Sequence, residues 1–308
     1  MTKVFIDGSA GTTGLRIRER LSDRKDLELI ILPEETREDP AARANALNSA
    51  TVSFLCLPDA AAIEAASFVT DPDAVIIDTS TAHRVAEGWT YGMPELAGQH
   101  EELKAAKRIA NPGCHATGFI SLVAPLVASG LIQKDARLSC FSLTGYSGGG
   151  KKMIAEYESP DMDPLYQAPR QYGLGQTHKH LPEMAKICGL DHAPVFCPIV
   201  ASYYAGMEVT VPLTPADSSA SPEEIKAVYR DYYQSGLIRF AEGTDGNGFL
   251  SAGAFAGRDD LEIAVFGNEE RILLVSRFDN LGKGASGAAI QNMNIVLGLD
   301  EKTGLVVK

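Results

Sequence analysis

One cysteine of the chain stands where a helix is expected to begin. Cys114 follows Pro112 and Gly113, which break the preceding segment, and apolar side chains recur after it at helical spacing. A thiol in the first turn of a helix faces backbone N–H groups without partners and the positive end of the helix dipole, and both favour the thiolate. Free cysteine has a pKa of about 8.5, and such a position lowers it by about one unit or more. The sequence therefore predicts that Cys114 is a nucleophile; the alternative is a small residue that fits a tight turn.

Two further residues have the spacing of an acid/base pair. His178 and His180 are separated by one residue, so in an extended segment both imidazoles would face the same side. A thiolate nucleophile needs an imidazole that stabilises the anion and passes a proton to the departing group. We favour His180, which precedes a predicted helix where Glu183 would orient it, and His178 would then be a supporting or substrate-binding group. No third ligand has a plausible spacing, so we expect no metal. His115 is not expected to be a partner of Cys114, because adjacent side chains on a helix diverge.

The amino terminus carries a glycine-rich turn suited to a dinucleotide. Glycines 8, 11 and 14 follow a short apolar strand and precede a helical pattern. Glycines let the backbone approach a pyrophosphate, and the start of the helix supplies N–H donors. The predicted cofactor contacts are the residues of this turn: Gly8, Ser9, Ala10, Gly11, Thr12, Thr13 and Gly14. An ordinary glycine-rich turn between a strand and a helix is the alternative.

The following loop bears on the choice between NAD and NADP. Glu34 and Glu35 lie about where an acidic residue would bind the ribose hydroxyls of NAD. Thr36 and Arg37 are in the same loop, and the planar guanidinium of arginine pairs well with the 2′-phosphate of NADP. We favour NADP(H) with Arg37 as a ligand; a solvated loop charge is the alternative for this arginine.

Three other loops carry residue types suited to anions or to a cofactor, and a solvated turn is the alternative for each. Residues 78–84 follow a strand end, where ligands of α/β proteins bind; residues 146–152 combine glycines with two lysines; residues 279–287 are glycine-rich. The predicted substrate contacts are Arg84, Ser80, Lys151 and Glu183, with Lys179 as an alternative to Lys151 for holding an acyl phosphate. The predicted further cofactor contacts are Cys56, Pro58, Ser80, Asn280 and Lys283.

The order of the periodic segments predicts an α/β protein of two domains. In the first 110 or so residues, short apolar strands alternate with helices, which is typical of a Rossmann-type, doubly wound parallel sheet. From about 136 to 280, strand-like segments have fewer helices between them, which favours an α+β domain with a mixed, mainly antiparallel sheet. We predict a cofactor-binding domain of residues 1–113 with 284–308, because a terminal helix at 285–297 needs a partner. Residues 114–283 would form the catalytic and dimerisation domain.

Composition restricts the class of protein. A chain of 308 residues is long enough for two domains. The net charge of −12 argues against nucleic acid and against an anionic membrane as partners, so an anionic substrate must meet a local cluster of Arg and Lys. The five cysteines form no C-x-x-C pair, which argues against a zinc site and a disulfide framework and favours a reducing cytoplasm. We expect no signal peptide and no membrane-spanning segment.

Seven stretches of the chain together resemble the N-acetyl-gamma-glutamyl-phosphate reductase family in its shorter form. They follow one order over nearly the whole chain: 8–14, 78–84, 91–96, 111–118, 145–151, 178–183 and 279–294. The resemblance implies an NADP-binding domain, a catalytic domain like that of aspartate-semialdehyde dehydrogenase, and a cytoplasmic homodimer or homotetramer. It also implies that Cys114 is the nucleophile and that His178 and His180 hold the acid/base position. Position 115 is commonly aromatic in the family, and Pro125 interrupts the predicted helix, although the family tolerates proline there.

The reaction implied by this resemblance belongs to arginine biosynthesis. N-acetyl-glutamyl 5-phosphate would form a thioester on Cys114, inorganic phosphate would leave, and NADPH would reduce the thioester to N-acetyl-glutamate 5-semialdehyde. An aspartate-semialdehyde dehydrogenase or an aminoadipyl-phosphate reductase relative is the runner-up, because the cysteine and the glycine turn fit it equally well. From other classes, the chain would be a non-catalytic NADP-binding sensor with a buried cysteine, or a thiol hydrolase that leaves the glycine turn without a function.

Overall fold

A computed structural model describes residues 1–234 and 236–308 and divides them into two compact units. The first unit contains Met1–Pro112 and Ala285–Leu305, and the second contains Gly113–Gly284 and Val306–Lys308. Each unit has its own β-sheet. Gly113 and Cys114, which form the cysteine turn, are therefore the first residues of the second unit.

The first unit is built on a six-stranded parallel sheet. Its amino-terminal elements are β1 (Thr2–Asp7), α1 (Thr12–Ser22), β2 (Leu27–Ile30), α2 (Pro40–Ser49), β3 (Val52–Leu55), α3 (Asp59–Ser67), β4 (Val75–Asp78), β5 (Thr90–Tyr91), α4 (Gln99–Ala105) and β6 (Arg108–Ala110). The strand order is β2-β1-β3-β4-β6-β5. Along β1, Val4 and Ile6 pack into one apolar cluster and Phe5 packs into another, because successive side chains point to opposite faces. The sheet is buried on both faces, and the prediction of a doubly wound domain is confirmed.

The second unit is built on a mixed sheet of seven strands. Its elements are α5 (Cys114–Ala128), β7 (Ser139–Gly145), α6 (Gly150–Tyr157), β8 (Arg170–Gln171), α7 (Leu181–Cys188), β9 (Val195–Ala201), β10 (Met207–Leu213), α8 (Pro222–Tyr232), β11 (Ile238–Phe240), β12 (Leu261–Asn268) and β13 (Arg271–Phe278). The strand order is β11-β12-β13-β10-β7-β9-β8. Four of the neighbouring pairs are antiparallel, and two are parallel. The predicted mixed, mainly antiparallel sheet is therefore confirmed.

Helix α5 carries Cys114 at its first position and lies close against the sheet. A Cβ atom at Gly118 would come within 2.4 Å of Val209 on β10, so only glycine permits this approach. Ser276 on β13 donates a hydrogen bond to the carbonyl oxygen of Gly118 at 3.2 Å. The sheet thereby fixes the position of the helix that carries the cysteine.

Pro125 does not interrupt α5, in contrast to the prediction. The helix continues through this residue and ends at Ala128. Proline has no N–H, so the carbonyl of Ser121 loses its helical partner. The hydroxyl of Tyr233, which directly follows α8, donates to that carbonyl at 2.8 Å. The contact satisfies the carbonyl that the proline leaves open.

The last three residues group with the second unit, although the prediction assigned the whole carboxyl terminus to the first domain. Asp259 exchanges two hydrogen bonds with Val306: its N–H donates to the Val306 carbonyl, and its carboxylate accepts from the Val306 N–H, both at 2.8 Å. Arg239 donates to the carbonyl oxygen of Lys308 at 2.6 Å. These contacts form an extended pairing that attaches the chain end to the second unit.

The final helix, α9 (Gly287–Val296), belongs to the first unit. Ile290 and Met293 are fully buried in an apolar cluster of that unit. The amide of Asn292 donates to the carbonyl of Gly92 at 2.9 Å, and a Cβ atom at Gly92 would lie 2.4 Å from that amide nitrogen. The close approach explains why residue 92 is glycine.

Candidate active site

Cys114 occupies the first turn of α5. Gly113 is the N-cap in an extended conformation (φ −79°, ψ 147°), and no side chain caps the helix. The N-cap residue therefore supplies no side-chain acceptor to the backbone N–H groups of the first turn. The Cys114 side chain is half-buried and packs against Gly284, where a Cβ atom would lie 2.9 Å from the cysteine Cβ. This is the position that favours a thiolate, as the sequence predicts.

A carboxylate from a distant helix holds this turn. Glu183 on α7 is 1% exposed, and its Oε1 accepts a hydrogen bond from the N–H of Gly113 at 2.8 Å. Glu183 was predicted to contact substrate and to orient His180. The structure binds one oxygen of its carboxylate to the backbone before Cys114, so Glu183 positions the cysteine turn relative to α7.

The two predicted acid/base histidines lie together at the start of α7. The ring centroids of His178 and His180 are 4.8 Å apart and the rings are nearly perpendicular. His180 is the N-cap of α7 with helical dihedral angles, so the pair is brought together by a tight turn and not by an extended segment. The N–H of His180 donates to Nδ1 of His178 at 3.2 Å, and this bond leaves the proton of a neutral His178 on Nε2.

His115, which the sequence analysis set aside, lies in the same cluster. Its ring centroid is 5.5 Å from that of His180 and 5.7 Å from that of His178. Burial, and secondarily the charge of His178, lower the pKa of His115 to about 3, so the ring is neutral. The prediction considered only the neighbouring Cys114 as a partner of His115. It does not exclude a contact with the segment that returns from β8.

Two residues that sequence reasoning missed complete the surroundings of His115. Ser142 on β7 contacts its Nδ1 and the hydroxyl of Tyr172 contacts its Nε2, both at 2.7 Å. Burial and the neighbouring Cys114 raise the pKa of the Tyr172 phenol. Neither residue stands in a recognisable motif, so only the folded chain identifies them. Within the described residues, no group of His, Cys, Asp and Glu has the arrangement of a metal site.

The glycine turn of the first unit is closed by backbone contacts. Gly8 has φ +82°, and a Cβ atom there would lie 2.3 Å from the carbonyl oxygen of Cys56. A Cβ atom at Gly14 would lie 2.4 Å from the Gly8 carbonyl oxygen. Gly11 is the N-cap of α1 without a side-chain cap, and the buried Thr12 hydroxyl has no hydrogen-bond partner among the residues described. Open N–H groups and an unsatisfied hydroxyl fit a bound phosphate.

A pocket of about 330 Å³ adjoins this turn within the first unit. Its lining includes Gly8, Ser9, Ala10, Leu32, Arg37 and Arg43. Arg37 is 47% exposed and forms an ion pair with Glu34 at 3.3 Å, so the acidic residue considered for NAD is paired with the arginine considered for NADP. Arg43, which sequence reasoning missed, is buried and binds Asp7 at 3.0 Å.

The other predicted cofactor residues of the first unit are held by internal contacts. The Cys56 thiol is buried, which raises its pKa to about 12. Pro58 is the N-cap of α3. Ser80 donates to Asp78 at 2.7 Å and is largely buried. The backbone of Cys56 thus shapes the edge of the sheet next to Gly8.

Arg84, predicted to bind substrate, is 9% exposed and donates to two backbone carbonyls. The acceptors are Asn111 at 3.0 Å and Thr79 at 3.1 Å. The guanidinium therefore fixes the segment that runs into the cysteine turn. Lys151 and Lys179 are exposed on the second unit.

The two predicted cofactor residues that follow β13 are buried in the second unit. Asn280 accepts from the N–H of Gly206 and donates to Ser147, both at 3.0 Å. Its two polar atoms thereby join three loops. Lys283 is 1% exposed and lies in the short helical turn Gly282–Ser286.

Comparison with known proteins decides the family. Residues 33–106 match the family described as semialdehyde dehydrogenase, NAD binding domain, and residues 114–280 match semialdehyde dehydrogenase, dimerisation domain. N-acetyl-gamma-glutamyl-phosphate reductase 2 of Nostoc sp. is 44% identical over 98% of this chain and 99% of that protein. The chain belongs to the N-acetyl-gamma-glutamyl-phosphate reductase family. The reductase of Burkholderia cenocepacia is 43% identical over 96% of this chain and 97% of its own length.

Solved structures of more distant proteins share the fold of this reductase family member. Aspartate semialdehyde dehydrogenase II of Vibrio cholerae superposes with a TM-score of 0.70 at 18% identity, over 96% of this chain and 98% of that chain. Aspartate semialdehyde dehydrogenase of Candida albicans, solved with NADP, gives 0.69 at 15% identity over 97% and 99%. No helix among the described residues is both long and apolar enough to cross a membrane.

Proposed function

We propose that this chain reduces N-acetyl-glutamyl 5-phosphate to N-acetyl-glutamate 5-semialdehyde with NADPH, in arginine biosynthesis. The observation that carries the proposal is the cysteine turn: Cys114 begins α5, and Glu183 ties that turn to the helix that begins beside His180. Relatives named for this reaction are similar over nearly the full chain. The free cysteines suit a reducing cytoplasm, where we place the enzyme.

Cys114 is the nucleophile in this proposal. Its thiolate forms a bond to the acyl carbon, the bond from that carbon to the phosphate oxygen breaks, and inorganic phosphate leaves with the electron pair. Backbone N–H groups in the first turn of α5 stabilise the oxyanion. NADPH, when bound, supplies the hydride that reduces the thioester. As the aldehyde carbonyl re-forms and the carbon–sulfur bond breaks, His180 donates a proton to the departing sulfur, which leaves as a neutral thiol.

The glycine turn and its pocket would hold the cofactor. The N–H groups at the start of α1 suit the pyrophosphate, and Arg37 beside the pocket suits the 2′-phosphate. Phosphate binding would compete with the ion pair between Arg37 and Glu34. This competition makes Arg37 the residue that distinguishes NADPH from NADH.

Anionic groups of the substrate need basic partners, because the chain is acidic overall. Lys151 and Lys179 are exposed on the second unit and are our candidates for the acyl phosphate. Arg84 has a supporting role through the carbonyls that it holds. Replacing each lysine with methionine tests this assignment: the KM for phosphate in the reverse reaction should rise for the residue that binds it.

The outer face of the second sheet is our candidate for a homodimer interface. Phe141, Val195 and Leu273 are 43%, 57% and 42% exposed on neighbouring parts of this face. Apolar side chains of this size rarely form an open patch on a monomer. Light scattering should give a dimer for the wild type and a smaller species for Phe141→Lys with Leu273→Glu; a tetramer whose size these changes leave intact would place the interface elsewhere.

A spectrophotometric assay tests the proposed reaction. NADPH formation from N-acetyl-glutamate 5-semialdehyde should require both NADP and phosphate. Faster turnover of aspartate 4-semialdehyde would favour the runner-up. If neither aldehyde reacts, and iodoacetamide alkylates Cys114 slowly with or without aldehyde, the chain is a non-catalytic cofactor-binding protein and the proposal is wrong.

A further inference from the structure

The segment that carries the two predicted acid/base histidines turns away from the second sheet just before it reaches them. The antiparallel pairing of β8 with β9 is followed by a hydrogen bond from the N–H of Tyr172 to the carbonyl of Pro198, at 3.0 Å. Proline has no N–H, so it returns no hydrogen bond to Tyr172. The chain then forms a turn in which the N–H of Gln176 donates to the carbonyl of Gly173 at 3.0 Å. The backbone therefore turns before His178.

The side-chain amide of Gln176 continues the pairing with β9 in place of the backbone. Its Oε1 accepts from the N–H of Phe196 at 2.9 Å, and its Nε2 donates to the carbonyl of Phe196 at 2.7 Å. A carboxamide has the same donor and acceptor as a peptide group, so the two bonds act as one further rung of the sheet. Gln176 also has φ +53°, which a residue other than glycine seldom adopts, and the two bonds hold it there.

The strand position that Gln176 binds is in contact with the histidine pair. The ring centroid of Phe196 is 5.1 Å from that of His178, with the rings at 69°. The turn itself also reaches His178, since a Cβ atom at Gly173 would lie 3.8 Å from its Cδ2. Nδ1 of His178 in turn accepts the N–H of His180 at 3.2 Å. The place where Gln176 binds β9 therefore determines where both imidazoles lie.

We propose that Gln176 is a positioning residue: by pairing its side-chain amide with Phe196 on β9, it holds His178 and His180 in the geometry that the reaction uses. The proposal rests on the proposed function only in that it takes one of these histidines as the acid/base. A displacement of a catalytic group by about 1 Å costs up to about 10²-fold in rate. The turn contains two glycines, which leave its backbone wide conformational freedom, so the segment needs this attachment to the sheet.

Gln176→Met tests the proposal, because methionine has the same length and no amide. Deuterium exchange at the N–H of Phe196, followed by mass spectrometry of the peptide that contains it, should become about tenfold faster. The kcat of the phosphate-dependent oxidation should fall about tenfold, with the KM for NADP unchanged. Gln176→Glu keeps the acceptor for the Phe196 N–H and should lie between the wild type and Gln176→Met. A packing role predicts instead that Gln176→Met retains the full kcat.

Asn48→Leu is the matched control in the first unit. The amide of Asn48 also joins separate backbone segments, since it donates to the carbonyl of Phe68 and accepts from the N–H of Thr70, both at 2.8 Å. Asn48→Leu should unfold at a lower urea concentration and keep the wild-type kcat. Equal falls in kcat for Asn48→Leu and Gln176→Met would show general destabilisation and overturn the proposal.

Two readouts need no substrate, and they separate the positioning role from the reaction itself. Exchange at Phe196 is one, and the NMR signals of the His178 imidazole in isotope-labelled protein are the other. These signals should shift in Gln176→Met and stay in place in Asn48→Leu. Unshifted signals, unchanged exchange, or faster exchange with an unchanged kcat in Gln176→Met would overturn the positioning role. Absence of turnover in the wild type would reject the proposed function alone.

Discussion

The glycine turn and the cysteine turn both end in the open amino terminus of a helix, but they are held in different ways. Gly11 caps α1 and Gly113 caps α5, each extended and without a side-chain cap. The first turn is closed by backbone packed on backbone, as the approach of Gly8 to Cys56 shows. The second turn is held by the side chain of Glu183, seventy residues further along the chain.

The difference fits the ligand that we propose for each turn. A pyrophosphate is bound by N–H groups, so glycines without side chains are sufficient and the motif is local. An acyl group needs a thiol and a proton donor in addition, and these side chains come from α5 and from the segment before α7. The glycine turn therefore depends on the absence of side chains, and the cysteine turn depends on their presence.

The largest effect should come from removing a proton donor at the cysteine turn. His180→Asn is expected to lower kcat by about 10²–10⁴-fold, because general acid/base catalysis is lost. His178→Asn should cost less, since Nδ1 of His178 accepts a hydrogen bond from the backbone. Steady-state kinetics on both variants checks this order. A larger loss for His178→Asn would exchange the two roles.

Adding a single methyl group to the glycine turn should lower the free energy of unfolding. Gly8→Ala combines a positive φ with a contact of 2.3 Å to a carbonyl oxygen, and we expect a loss of about 3 kcal/mol in the free energy of unfolding. Gly88→Ala is the matched control, because Gly88 has φ +79° with no atom within 4 Å of its Cβ position. It should cost about 1 kcal/mol. Equal losses in urea unfolding would show that close backbone approach does not determine residue 8.

Acid should destabilise the histidine cluster through His115. Its pKa is about 3 in the folded chain and 6.5 in the reference state, so the unfolded chain binds a proton that the folded chain does not. The free energy of unfolding therefore keeps its full value above pH 6.5. It falls as the pH decreases from there toward 3, by roughly 2 kcal/mol between pH 7 and 5. His115→Phe should reduce that loss in urea titrations at the two pH values. Equal losses of stability between pH 7 and 5 in His115→Phe and in the wild type would contradict the lowered pKa of His115.

The smallest effect should concern the choice of cofactor. Arg37→Ala is expected to reduce the preference for NADPH over NADH about tenfold, as one charge-assisted contact is lost at an exposed position. The KM values for both cofactors check this prediction. If the preference is unchanged, the buried Arg43 in the same pocket is the next residue to test.

Local patterns predicted the fold well, and long-range contacts explain what they missed. The alternation of strands and helices identified the parallel sheet, and the break at Pro112 and Gly113 located the start of α5. The same reasoning predicted an interruption of α5 at Pro125, because the sequence does not show that Tyr233 satisfies the open carbonyl. It also did not predict that His115 lies near the other histidines, because the return of Tyr172 to α5 depends on the pairing of β8 with β9.

The roles of charged residues were the least predictable part of the candidate site. Glu183 and Arg84 were predicted to bind substrate, and the structure binds both to backbone groups near the cysteine turn. A charged side chain that stabilises backbone has the same sequence pattern as one that binds a ligand. Only burial and hydrogen-bond partners distinguish the two.

Transfer of the acyl group to Cys114 can be observed directly. The enzyme is mixed with N-acetyl-glutamate 5-semialdehyde and NADP without phosphate, and NADPH and the intact mass of the protein are followed. We predict one NADPH per site in a single burst, an acyl adduct on the peptide that contains Cys114, and turnover only when phosphate is added. Cys114→Ala should show neither burst nor adduct. A burst of the same size in that variant, or an adduct on another residue, would contradict the account.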